Sequence, residues 1–318
     1  MKICLVTLSS FSFRAGFERV VHSVLKTLRD AYGCDVTILS LPLEVGRLDS
    51  PILEEFTSFK MYRSSDYRSF TEFRLRTLLT RLLGRKGLVS FSSIEKYANQ
   101  IHSSDIFLIA DPLFLTSVRH FVQKHQLRSK VVYWDHGGLS LYLRKKQSLL
   151  ERIKHYIPSK ETIDGLLAAD GFLAISSGIA ETIKSIDPKA KIYLVYNPVP
   201  GYSGPLIQRS GKPIFLYVGR LEDHQKNVSF MLKGLSRLRH KDWQLKIVGT
   251  GPDEEKLKKL AGKLGISDRI SWLGFRKDPY SDFREITALM LTSRYKGFPM
   301  VLVETIQRGR NTCDILGL

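Results

Sequence analysis

Apolar runs and helical stripes alternate along the whole chain, and this alternation predicts the architecture before any single residue does. Ile3–Leu8 is a short apolar run that predicts a buried strand. Phe17–Arg29 follows, with Val20, Val21, Val24, Leu25 and Leu28 at spacings of three and four, which predicts an amphipathic helix. Val36–Leu41 predicts a second strand. Further on, Ile106–Ile109 and Val131–Trp134 read as strands with a helix between them, and Gly171–Ile175 and Ile192–Val195 as two more. Strand and helix periods in this order predict a parallel, doubly wound α/β sheet.

Asn197-Pro198-Val199-Pro200-Gly201, with Ser203-Gly204-Pro205 and Gly211-Lys212-Pro213 behind it, breaks both periods and predicts a domain boundary. A second alternation then begins: strand Ile214–Val218, helix Val228–Leu238, strand Gln244–Val248, helix Glu254–Leu264, strands Ile270–Leu273 and Ala288–Thr292, helix Met300–Gln307. Two Rossmann-like domains are therefore expected, 1–198 and 199–318. A doubly wound domain normally continues with another strand and helix, and only nine residues follow Gly309, so the second domain is expected to be incomplete.

The chain has 318 residues, long enough for two domains of about 100–200 residues. Its 49 Lys and Arg against 31 Asp and Glu give a net charge of +18. The two halves carry 28 basic against 19 acidic and 21 against 12, so each is +9 and no single tail explains the excess. A distributed positive field suits an anionic partner such as a nucleotide or an acidic lipid surface. Cys4, Cys34 and Cys313 lack disulfide or metal spacing, which points to a reducing, cytoplasmic setting. No apolar run approaches the roughly 18 residues of a membrane span.

Candidate chemistry gathers where predicted strands end. Gly219-Arg220 follows a strand and Lys226 comes six residues later, offering a planar fork and a mobile point charge to phosphate oxygens. Gly249-Thr250-Gly251-Pro252 permits close backbone approach, or is a simple strand-to-helix turn. Gly297-Phe298-Pro299-Met300 opens a helix with Pro299 at its first position, where exposed N–H groups suit phosphate. Glu304, about one and a half turns in, can accept from two ribose hydroxyls. In the first domain, Gly16 opens helix one and His136 follows a strand beside Gly137 and Gly138. Tyr62–Gly87 sets seven basic residues around a stripe of Leu75, Leu78, Leu79 and Leu82. It reads equally as a helix on an anionic membrane surface or as an ordinary helix with its leucines in the core.

With these residues in order, the chain resembles the retaining glycosyltransferases of the GT-B fold, a group that includes bacterial lipopolysaccharide and capsule sugar transferases. The matching series runs through Gly16-Phe17-Glu18-Arg19, Trp134-Asp135-His136, Asp170–Ser177, Tyr196-Asn197-Pro198 and Val218-Gly219-Arg220-Leu221. It continues in Lys226-Asn227, Val248–Pro252, Trp272-Leu273-Gly274 and Gly297–Met300. The resemblance implies that the nucleotide sugar lies mainly on the second domain and the acceptor on the first. It implies Arg220 and Lys226 on the diphosphate, Glu304 on the ribose and the Gly274-Phe275 turn near the base. It places His136 by the donor sugar, the Gly16 loop by the phosphates, and Gly249 and the Lys296–Met300 segment in the donor site.

The family works without an essential metal or other cofactor, and the chain has no Asp-x-Asp pair. It usually carries a glutamate eight residues before the ribose glutamate, where this chain has Lys296. It also usually continues past Leu318, so a C-terminal truncation is expected. The expected reaction moves a sugar from a UDP-linked donor to a lipopolysaccharide, capsule or O-antigen type glycan. The alternative is a non-catalytic remnant that binds nucleotide or glycolipid. No helix-turn-helix, zinc or RNA-binding signature points to nucleic acid, and Ser9-Ser10-Phe11-Ser12 after strand one does not form a dinucleotide fingerprint.

Overall fold

The computed structural model describes residues 1–7, 16–40, 54–60, 94–137, 139, 163–238, 242–294 and 297–314. The chain divides into two compact units, Met1–Pro198 and Val199–Leu318. Each is a parallel sheet with helices in its crossovers.

The first unit builds on β1 (Lys2–Thr7), β2 (Asp35–Ser40), β3 (Thr57–Lys60), β4 (Ile106–Ile109), β5 (Lys130–Asp135), β6 (Gly171–Ala174) and β7 (Ile192–Leu194), in spatial order β3-β2-β1-β4-β5-β6-β7. Its main helices are α1 (Gly16–Asp30), α2 (Leu115–Lys124) and α3 (Ser177–Ile186). Cys4, Leu5 and Val6 on β1 are fully buried, as are Ile38 and Leu39 on β2. A parallel sheet covered on both faces demands such unbroken apolar runs. Burial of each large side chain contributes about 1.5–3 kcal/mol. Helix α1 sends Val20, Val21 and Leu25 into this core. It stops because Gly33 takes φ +63°, which lets Gly33 and Cys34 donate back to Arg29 and Leu28 and satisfy the last carbonyls.

The second unit builds on β8 (Ile214–Val218), β9 (Gln244–Val248), β10 (Ile270–Trp272), β11 (Ala288–Leu291) and β12 (Asn311–Asp314), in order β10-β9-β8-β11-β12. Helices α4 (Val228–Ser236), α5 (Glu254–Lys263) and α6 (Met300–Gln307) alternate with the strands. Trp243, Tyr217, Leu216, Leu245 and Ile247 form the centre of its core. The segment after the unit boundary is fastened to the body: Ile207 donates to the Arg308 carbonyl and Gln208 to the Arg284 carbonyl.

Several expected elements end early, each for a local reason. The last strand before α6 stops at Leu291 rather than Thr292, whose hydroxyl bonds the carbonyls of Lys226 and Asn227 instead of extending the ladder. Helix α4 stops at Ser236 rather than Leu238 because Arg237 and Leu238 tighten into three-residue turns on Gly234 and Leu235. Pro299 sits at the N-cap, one position before the helix proper, with ψ 79°. Strand β12 adds one more parallel strand after α6, an element absent from the sequence reading.

Candidate functional site

In the second sheet, β8 has β9 on one side and β11 on the other, so the strand order reverses between β8 and β11. Ligands of open α/β sheets bind at the carboxyl ends of strands flanking such a reversal. Arg220, Lys226 and the Gly297–Met300 segment all follow β8 or β11 at that edge.

The loops there are tied together by their backbones. Gly219 donates to Val248, Leu221 to Thr250, Asp253 to Leu221 and Gly249 to Gly274, at 2.8–3.0 Å. Gly249 takes φ +137°, and a Cβ on it would lie 2.0 Å from the Gly219 carbonyl oxygen. A Cβ on Gly251 would lie 2.4 Å from that of Leu221. Both glycines are thus required by the Gly219–Leu221 backbone packed over them. The contribution of Gly249 to the site is indirect: it seats the loop that carries Arg220. Beneath the loop, the buried Tyr217 hydroxyl donates to the Arg220 carbonyl at 3.0 Å.

The Arg220 side chain is 68% exposed, with Nη1 3.5 Å from Glu222 Oε2. Lys226 is half-buried, and burial holds its ammonium below the ordinary lysine range; Glu222 opposes this shift and Arg220 adds to it. Asn227 takes the left-handed conformation at φ 52° and starts α4. The Asp223 carboxylate caps that start through Ser229 N–H at 2.7 Å, while Asp253 accepts from Asp223 N–H at 2.7 Å. Arg294, just past β11, donates from Nη1 to the carbonyls of Asp223 and His224. The loop holding Lys226 is therefore fixed from both sides of the strand reversal.

Glu304 lies buried on α6. Phe298, Pro299 and Met300 are half-buried around the helix start. Met300 N–H already bonds Phe298 and Leu302 N–H bonds Pro299, so these two N–H groups of the helix start are taken. Phe275 is 68% exposed directly after Gly274, which has φ +67°. Lys296 lies outside the described residues, as do Tyr62–Gly87.

In the first unit the strand reversal lies between β1 and β4. Gly16 is the exposed first residue of α1, and nothing within 4 Å would meet a Cβ there. Past β5, the His136 ring packs against Phe17 (centroids 4.8 Å, interplanar 87°) and Trp134 (4.4 Å, 54°). Its Nε2 is buried without a hydrogen-bond partner. Burial pushes the imidazole down to about 3, so it is neutral at physiological pH.

Asp111 escaped the sequence reading, in which Asp135 entered only as part of Trp134-Asp135-His136. Ile109 pairs with Tyr133, and Asp111 is still extended at φ −132°, so the register carries Asp111 alongside Asp135. Asp135 is buried and accepts from Gly137 and Leu139 N–H. Asp111 accepts from Leu113 N–H at 3.0 Å, and burial, with the Asp135 charge adding, pushes it up to about 6. The available signal was Asp111-Pro112 at the end of an apolar run, a helix-start pattern. Among the described residues no group of three or more His, Cys, Asp or Glu could hold a metal.

Two doubly wound parallel sheets in one chain, with ligand-ready strand ends in each, define the GT-B architecture. Residues 204–311 match the model for "Glycosyl transferases group 1". A lipopolysaccharide 1,6-galactosyltransferase of Salmonella typhimurium is 40% identical over 158 residues, 47% of this chain and 44% of the relative. The chain thus aligns with less than half of that relative's length. The solved apo form of the lipopolysaccharide outer core galactosyltransferase WaaB matches with TM-score 0.75 and 26% identity, over 100% of this chain and 82% of that one. Anabaena HepE, solved in complex with UDP, shares the fold with TM-score 0.69 at 16% identity, over 98% and 80%.

Proposed function

We propose that the chain transfers a sugar from a UDP-linked donor to a lipopolysaccharide, capsule or O-antigen type glycan, with retention of configuration. The observation that carries this reading is the pair of cations Arg220 and Lys226 on one braced segment at the strand reversal, in a unit whose helix α6, after β11, carries the buried Glu304. The relatives named for lipopolysaccharide galactosyl transfer and the neighbour solved with UDP support the donor and acceptor classes.

In this reading the bond from the sugar's anomeric carbon to the phosphate oxygen breaks, and the electron pair leaves with the diphosphate. Arg220 and Lys226 stabilise that charge, the preorganised electrostatics that commonly dominates catalysis. A half-buried, reluctant Lys226 suits the task because an arriving diphosphate restores its preference for the charged form. The acceptor hydroxyl bonds the anomeric carbon on the face the phosphate leaves, and its proton passes to the departing phosphate oxygen. Glu304 accepts from the ribose hydroxyls and Phe275 lies by the base. The neutral His136, with Nε2 unspent, suits a hydroxyl of the donor sugar rather than a phosphate. The step calls on no metal.

No helix among the described residues is long and apolar enough to cross a membrane. We place the chain in the cytoplasm, against the anionic inner face of the membrane, on the strength of the +18 charge and the basic Tyr62–Gly87 segment. Sedimentation with acidic liposomes at low salt and release at high salt is expected; equal binding to neutral vesicles would contradict it.

The decisive experiment is turnover of labelled UDP-galactose and UDP-glucose on lipopolysaccharide acceptors, with chelator present. Product retaining the donor's anomeric configuration is expected. Nucleotide binding without transfer to any such acceptor would leave a binding protein instead, and inversion would remove the proposed step.

A further inference from the structure

The C-terminal end of α6 carries an arrangement that the family reading does not use. The Arg308 guanidinium lies between two tyrosine rings, 4.1 Å from the Tyr202 centroid and 4.2 Å from the Tyr280 centroid. Its Nη1 donates to the Glu304 carbonyl at 2.9 Å, one turn back. The Tyr280 hydroxyl reaches the same helix, bonding the Val301 carbonyl at 3.0 Å and Thr305 Oγ1 at 2.9 Å. The Tyr202 hydroxyl donates to the Pro205 carbonyl, and the Arg308 carbonyl accepts from Ile207 N–H.

An arginine with a tyrosine ring on each of two sides is restrained in its placement, and each face adds a cation–π contact worth more as water is excluded. The clamp therefore fixes the roll and height of α6 over the turn that presents Glu304. A surface arginine serving only solubility would not need two rings and a backbone acceptor. Lysine, a point charge without a plane, cannot fill the same slot.

We propose that Arg308, gripped by Tyr202 and Tyr280, is a positioning residue that sets how well Glu304 discriminates a ribose from a deoxyribose on the bound nucleotide. This rests on the reading that Glu304 holds the ribose hydroxyls. The fork on the Glu304 carbonyl and the tyrosine hydroxyl on Val301 and Thr305 hold the helix from its C-terminal side. The diphosphate cations sit on a different loop, braced by Thr292 and Arg294. Loosening the clamp should thus cost ribose recognition while leaving phosphate recognition in place.

The test is calorimetric binding of UDP and 2′-deoxy-UDP to the full chain and to Arg308→Lys, Tyr202→Leu and Glu304→Ala. Arg308→Ala is included, but the milder two variants keep the test valid if it does not fold. The unaltered chain should prefer UDP by about tenfold, the size of a charge-assisted hydrogen bond. Arg308→Lys and Tyr202→Leu should cut that preference at least about threefold while 2′-deoxy-UDP affinity stays within about twofold. A generally loosened domain would weaken both ligands together, and that result overturns the proposal. So does an unchanged preference in both clamp variants when Glu304→Ala abolishes it. A preference that survives Glu304→Ala removes the ribose reading itself, and the role of Arg308 with it.

Discussion

The strand ends of the two units present opposite electrostatic characters. In the second unit the functional groups are charged: an exposed Arg220 and a half-buried Lys226 on a loop fastened by backbone hydrogen bonds. In the first unit charge is suppressed. His136 is packed by Phe17 and Trp134 and pushed down to about 3, and Asp111 is pushed up to about 6. Burial favours the neutral form in each case, lowering a base and raising an acid. Fixed cations suit a diphosphate, whereas the neutral imidazole of His136 suits a hydroxyl. The glycines differ in the same way. Gly249 is enclosed by the Gly219 backbone, whereas Gly16 meets nothing.

The largest expected effect breaks that last comparison. Gly249→Ala puts a methyl 2.0 Å from a backbone oxygen that cannot move aside, at φ +137°. Overpacking and backbone strain together should destabilise the second unit by about 3 kcal/mol or more. Gly16→Ala should change stability by no more than about 0.5 kcal/mol. Urea unfolding of both variants decides it, and equal stabilities would show that the loop yields.

Next comes the suppressed charge of the first unit. The Asp111 carboxyl is raised from 3.8 to about 6, so the folded state holds this proton more tightly than the unfolded chain. Its stabilising contribution is complete below about pH 3.8 and is lost as pH rises through about 6. At about 1.36 kcal/mol per unit the loss is at most about 3 kcal/mol. Unfolding free energy measured from pH 4 to 7 should carry this slope, and Asp111→Asn should flatten it. An identical slope in the variant would place the titration elsewhere. His136, lowered from 6.5 to about 3, acts in the opposite sense: its contribution to stability rises with pH up to about 6.5, while an NMR titration of the folded ring should show no protonation between pH 5 and 8.

For the cationic edge, Arg220→Ala and Lys226→Ala should each weaken nucleotide diphosphate binding by about 1.5–3 kcal/mol, the worth of a lost charge-assisted hydrogen bond. Lys226→Ala should cost more, because Arg220 is screened by solvent and already near Glu222. Affinity should also fall as pH rises through the lowered Lys226 titration, and that limb should vanish in Lys226→Ala. Unchanged affinity in both variants, with the fold intact, would remove the pair from the site.

Most strands and main helices were legible because parallel sheets buried on both faces write unbroken apolar runs between helical stripes. Ile214–Val218, Gln244–Val248 and Met300–Gln307 need no other signal. Strand β12 was missed because Asn311-Thr312-Cys313-Asp314 carries no apolar run; its place beside β11 is a long-range fact. Helix α3 was missed although Ser176 caps it, accepting from Ile179 N–H. Glycine followed by cation marked the Arg220 loop in sequence. The reason for Gly249 was not visible there, since it is a contact made across the sheet edge. Asp111 and Asp135 lie 24 positions apart and meet only through register. The Tyr202–Arg308–Tyr280 clamp likewise joins three separate stretches of chain, which no local pattern announces.

The smallest effect sharpens the contrast between parts that hold the fold and parts that meet a ligand. Phe275 is 68% exposed, whereas Trp272, three residues earlier on β10, packs against the core of the second unit. An exposed phenylalanine contributes little to folding, so Phe275→Ala should leave the unfolding free energy within about 0.5 kcal/mol. If the ring lies over the nucleotide base, its loss should weaken UDP binding by about 0.5–1.5 kcal/mol, the worth of an aromatic contact. Phe275→Tyr keeps the face and should restore most of that loss. Ribose 5-phosphate, which has no base, should bind the Phe275→Ala variant as it binds the unaltered chain. A parallel loss for both ligands would show that Phe275 shapes the loop after β10, not the base pocket.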